Sequence, residues 1–113
     1  QFLQALFEAG VTIIPGTDAL AGFGLHRELE LYAAAGIPTT SVLRMATLDS
    51  AAVNRRSDEL GLIAPGWLAD LIVVEGDPTA RISDLRKLRR VIKNGVSYFP
   101  DELHQALGVA PAP

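Results

Sequence analysis

One aspartate, Asp18, closes the apolar run "VTIIPGT", and its type and position make it the first candidate for chemistry in this sequence. A carboxylate at the mouth of such a run can contact a metal ion or take a proton from water. It can equally hydrogen-bond the amides of a glycine-rich turn, and local sequence leaves these uses open. The two histidines, His26 and His104, lie far apart, and there is no H-x-H, H-E-x-x-H or cysteine pair. The chain therefore cannot surround a catalytic ion with histidines by itself.

Other chemistries fit less well. Gly22 and Gly24 form a G-x-G before a helix, but Arg27 stands where a dinucleotide fingerprint needs its third glycine. No G-x-S-x-G marks a hydrolase nucleophile. The basic cluster Arg86, Lys87, Arg89 and Arg90 is interleaved with Leu85 and Leu88, which suggests a packed, solvated face. With a net charge of −3, no nucleic-acid partner is expected. Apolar runs are only a few residues long, so no membrane partner is expected either. The absence of cysteine removes thiol chemistry and leaves the redox compartment open, with the cytoplasm the first expectation. Hydrophobic residues make up 49% and charged residues 20% of the 113, the balance of a globular chain. The only methionine is Met45 and the chain starts at Gln1, so a processed or truncated product is expected.

The elements that must position Asp18 follow from periodicity. "FLQALFEAG" spaces Phe2, Leu3, Leu6 and Phe7 as a helix, with Gly10 as its C-terminal cap. Residues 11–15 read as a short buried strand and 16–24 as a glycine-rich loop. Residues 25–35 form a helix with Leu25, Leu29, Tyr32 and Ala33 on one face and Gly36 at its end. "IPTTSVLRMATLDSAAV" reads as another helix, with Thr39 or Thr40 able to cap it and a break at Asp49 and Ser50. This alternation predicts an α/β fold of parallel type. From residue 61 the pattern turns antiparallel: a strand over 70–75, the short "ISDLRK" turn, and two strands around Asn94-Gly95, a hairpin signal. A helical stub and a Pro/Ala-rich tail follow.

Read together, "GVTIIPGTDA", "LHRELELYAAAGI", "SVLRMATLDSAA", "LGLIAPGWLADLIVVEGDP" and "RRVIKNGVSY" resemble, in order, the C-terminal end of the amidohydrolase superfamily, in its imidazolonepropionase-like and prolidase-like branch. The resemblance implies the last strand and following helices of a (β/α)8 TIM barrel over residues 1–60. It also implies the C-terminal share of a small β-sandwich, the composite domain, over 61–100, with a tail at 101–113. It makes Asp18 both a metal contact and the general base toward a metal-activated water, and puts His26 near substrate or on the surface. Asp70 and Asp77 become turn residues and Trp67 a packing residue. The implied cofactor is a divalent metal, zinc first, with most ligands upstream of Gln1. The implied partners are an amide or dipeptide substrate and the rest of the barrel or another protomer. "NRRSDELG" departs from the family's usual short link before the sandwich. The implied function is a hydrolase of a C–N bond in an amide, dipeptide or cyclic amide, with the 113 residues inactive alone. A non-catalytic α/β fragment used in packing or assembly is the rival.

Overall fold

The computed structural model describes residues 1–18 and 24–109. The helical half runs α1 (Phe2–Glu8), α2 (Gly24–Ala34), α3 (Thr39–Arg44), a π-helical segment (Met45–Asp49) and α4 (Ser50–Val53). A three-stranded antiparallel sheet follows, β1 (Leu71–Val74), β2 (Leu88–Lys93) and β3 (Val96–Tyr98), in that spatial order. A 3-10 turn (Ile82–Arg86) joins β1 to β2, and α5 (Pro100–Ala106) closes the described chain.

Glycine ends the helices as the sequence predicts. At Gly10 (φ +77°) its own N–H bonds Phe7 O and that of Val11 bonds Leu6 O; Gly36 (φ +97°) repeats the pattern with Ala33 and Tyr32. These are Schellman caps, which need a left-handed residue just past the helix. The Asn94-Gly95 turn also matches expectation, with φ of 49° and 79° between β2 and β3.

Four expectations need correction. Residues 11–15 form no strand: the run is half-buried to exposed and enters no ladder among the described residues. A β-branched run becomes a strand only beside a partner that takes its backbone bonds, and every strand of the described sheet lies in the other half of the chain. Among the described residues the sheet is antiparallel throughout, so the parallel pattern is not seen there. The helix over 39–53 does not break at Asp49. It widens into π-helical turns and continues, with Ser50 Oγ donating to Met45 O at 2.7 Å. Nor does a threonine side chain cap it: Pro38 is the N-cap, and Thr39 Oγ1 donates to Thr79 O instead. Residues 19–23 of the glycine loop, and the end of the tail, lie outside the described residues.

The core joins the two halves. Leu29 of α2, Ile37, Val42 of α3 and Met45 pack with Ile82 and Leu85 of the 3-10 turn, and Val74 of β1 lies against them. Leu3, Phe7, Tyr32 and Ala33 add to this cluster, while Leu25 and Phe2, predicted on the apolar faces, stay exposed. On the rim, Arg86 grips Glu30 with two bonds, Nε to Oε1 at 2.6 Å and a terminal nitrogen to Oε2 at 3.1 Å. That guanidinium holds the Glu30 carboxyl below its ordinary range. The 3-10 turn is thereby fixed on α2.

Candidate functional site

Asp18 lies at the end of the run 11–18, which is neither helix nor strand, and is exposed. Two residues before it, Gly16 N–H donates to Glu28 Oε1 at 3.0 Å. Tyr32, one turn further along α2, donates its hydroxyl to the same oxygen at 2.5 Å. Glu28 and Tyr32 share a face of α2 because they are four residues apart. Burial, then the Glu28 carboxylate, pushes the Tyr32 phenol up to about 12. Glu28 Oε2 is buried and has no hydrogen-bond partner among the described residues. Neither residue stood out in the sequence as a site residue; the i, i+4 spacing of an acid and a tyrosine was the available signal.

His26 sits in the first turn of α2, half-buried, with no hydrogen bond to its ring among the described residues. No three of His, Asp and Glu converge there to hold a metal ion among the described residues. Asp18 can supply one oxygen donor, short of the three protein ligands of a catalytic zinc. By itself, then, this donor set does not fit a complete metal site.

Asp70, Asp77 and Asp84 show what a structural aspartate looks like in this molecule. Asp70 accepts the Asn94 N–H at 2.7 Å on Oδ1 and pairs with Lys93 through Oδ2, bracing the hairpin turn. The Lys93 ammonium and then the Asn94 amide hold its carboxyl below the usual range. Asp77 Oδ1 accepts the Thr79 N–H at 2.9 Å and the Thr79 hydroxyl at 2.5 Å, an Asx turn. Trp67 donates Nε1 to Ser57 O at 3.3 Å, pinning the loop ahead of the sheet. Asp84, not singled out in the sequence, is buried and central: Arg81 Nε (3.0 Å) and Lys87 Nζ (2.9 Å) meet Oδ1, and the Asp77 N–H (3.0 Å) meets Oδ2. Its cations at i−3 and i+3 were the signal to find it. Every one of these carboxylates is spent on neighbouring groups, whereas nothing bonds the Asp18 carboxylate among the described residues.

Comparison with known proteins adds the family. The sequence profile described as "Amidohydrolase family" matches residues 1–97. An adenine deaminase of Serratia proteamaculans is 42% identical over 62 residues, 55% of this chain and 10% of that protein. Adenine deaminase 1 of Latilactobacillus sakei is 38% identical over 79 residues, covering 68% of this chain and 12% of its own length. Among solved structures, a Xaa-Pro dipeptidase with methionine bound in its active site superposes with a TM-score of 0.82 at 36% identity, over 87% of this chain and 25% of the dipeptidase. The chain thus spans about a tenth of these curated relatives and a quarter of that solved chain.

Proposed function

This chain belongs to the amidohydrolase family, and from that premise we propose that it is the C-terminal portion of a metal-dependent hydrolase of C–N bonds. The relatives named above include deaminases and a dipeptidase. Deamination and dipeptide hydrolysis both use water to break a carbon–nitrogen bond, so the proposal stops at that shared chemistry, in an amide, dipeptide or cyclic amide. In this reading residues 1–60 close a (β/α)8 barrel and 61–100 complete a small β-sandwich, with the other metal ligands contributed from outside these residues. When bound, a divalent cation, zinc first, lowers the pKa of a coordinated water toward ~7 and so supplies a nucleophile at neutral pH.

The part assigned to Asp18 is to contact that metal, accept the proton of the attacking water and pass it to the leaving nitrogen. The observation that carries this is the place of Asp18: of the exposed aspartates with no bond among the described residues, which include Asp58 and Asp101, it is the one that follows the apolar run 11–15. Asp70, Asp77 and Asp84 are consumed by turns and cations, while Asp18 presents an exposed carboxylate from a run fastened two residues earlier. His26, at the start of α2, is the proposed substrate contact, and His26→Ala is expected to raise KM with little change in kcat.

The test is Asp18→Asn in the complete polypeptide, assayed against N-acyl amino acids, proline-ended dipeptides and adenine, with thermal midpoint and bound metal measured alongside. An amide keeps the shape but cannot take the proton, so kcat should fall by ~10²- to 10⁴-fold with the fold intact. Near-normal turnover with a lowered midpoint would make Asp18 a turn residue, worth about 1 kcal/mol of stability through a lost hydrogen bond.

A further inference from the structure

We propose that Glu28 is the positioning residue of Asp18, holding the segment that bears it against α2 through the Gly16 N–H; the inference rests on the general-base role proposed for Asp18. A chain of contacts runs from the core to the carboxylate. The Tyr32 ring lies against the Leu29–Ile37–Val42 cluster, and its hydroxyl meets Glu28 Oε1 at 2.5 Å. The same oxygen receives the Gly16 N–H at 3.0 Å, and Asp18 follows two residues later. The run 11–18 enters no ladder among the described residues, so it must be held from outside a sheet there. Glu28 provides an anchor from a helix that is packed into the core.

The other carboxyl oxygen sharpens the argument. Glu28 Oε2 is buried without a partner among the described residues. An unpaired buried oxygen opposes folding, so a residue present for stability alone would be better served by an apolar or fully bonded side chain. The arrangement makes sense if Oε1 must be held at one place, because catalysis by a proton acceptor is sensitive to displacements of about 1 Å, which can cost ~10²-fold.

The experiment uses the complete polypeptide, its bound metal measured, and the substrate giving the highest turnover in the panel above. Glu28→Ala is expected to lower kcat by ~10- to 10²-fold with KM within about threefold of wild type. Glu28→Gln, whose amide oxygen still accepts from Gly16 and Tyr32, should restore kcat to within about threefold of wild type. Combined with Asp18→Asn, Glu28→Ala should cost less than about twofold more, since residues acting as a unit are not additive. Unchanged kcat in Glu28→Ala with a lowered thermal midpoint would overturn the proposal, as would a fully additive double variant. If Glu28→Ala fails to fold, Tyr32→Phe decides: a kcat fall of about threefold or more at constant KM supports the proposal, and an unchanged kcat overturns it. If Asp18→Asn itself keeps turnover, the general-base reading fails; if Asp18→Asn loses turnover and Glu28→Ala does not, only the positioning role fails.

Discussion

At the scale of single residues, this molecule separates carboxylates that hold the fold from those held out to solvent, Asp18 among them. Asp84 is the clearest of the first kind. Arg81 first, then Lys87 and the Asp77 amide, hold its carboxyl well below the usual carboxylate range. Gly76 beside it has φ +114°, and a Cβ there would sit 2.4 Å from Asp84 Oδ2, so the turn and the acid fit only together. A carboxyl that binds its proton more weakly folded than unfolded stabilises the fold above its unfolded pKa of ~3.9 and loses that contribution as pH falls below it. Asp84→Asn should therefore lower the thermal midpoint at pH 7. The gap from wild type should be constant down to about pH 5 and close progressively below ~pH 4. Midpoints measured from pH 7 to pH 3 check this, and a gap independent of pH would mean that shape rather than charge makes Asp84 matter.

At the scale of elements, caps decide where helices stop. After α4 the Schellman pattern recurs, with Arg55 N–H on Ala52 O and Arg56 N–H on Ala51 O, but here the left-handed residue is Arg55, at φ 57°. A side chain in that region costs more than glycine does. Arg55→Gly should gain about 0.5–1 kcal/mol, the strain relieved less the added freedom of the unfolded chain; a denaturant midpoint that stays or falls would show that Arg55 side-chain contacts outweigh the strain. The comparison shows what sequence can disclose. Gly10, Gly36 and Asn94-Gly95 were legible because only backbone angles dictate them, and "ISDLRK" because a short amphipathic turn leaves little choice. Residues 11–15 were misread because β-branched composition reports what a segment would do beside a partner, and the partner is a property of the tertiary fold. The π-helical widening at Met45 had no signal, since Thr47 and Ser50 bond their own helix through hydroxyls that could as well have faced water. For the candidate site, the place of Asp18 after an apolar run was legible, while its role is a proposal. Glu28 was not, because an acid four residues before a tyrosine on a helix is ordinary until the loop it holds is seen.

At the scale of the whole molecule, the exposed surface argues that these 113 residues do not stand alone. The sheet is three strands in the order β1-β2-β3, so β1 and β3 each present an outer edge with no ladder among the described residues. Apolar side chains cluster around it: Ile63 is 84% exposed, Val96 54% and Ile72 52%, with Leu62, Val73 and Phe99 also open. Free edges and contiguous apolar surface both drive association, and a net charge of −3 over 113 residues is a weak counterforce. The expectation is that the isolated chain self-associates, with sedimentation velocity showing a weight-average mass that rises with protein concentration. Val96→Lys together with Ile72→Lys should shift it toward the monomer, because charges on an exposed strand oppose edge pairing and apolar contact alike. A compact wild-type monomer at high concentration would sink the expectation outright. Association that persists unchanged in the double variant would instead move its origin away from the sheet, to the helical half, where Val11 and Val53 are also about half exposed.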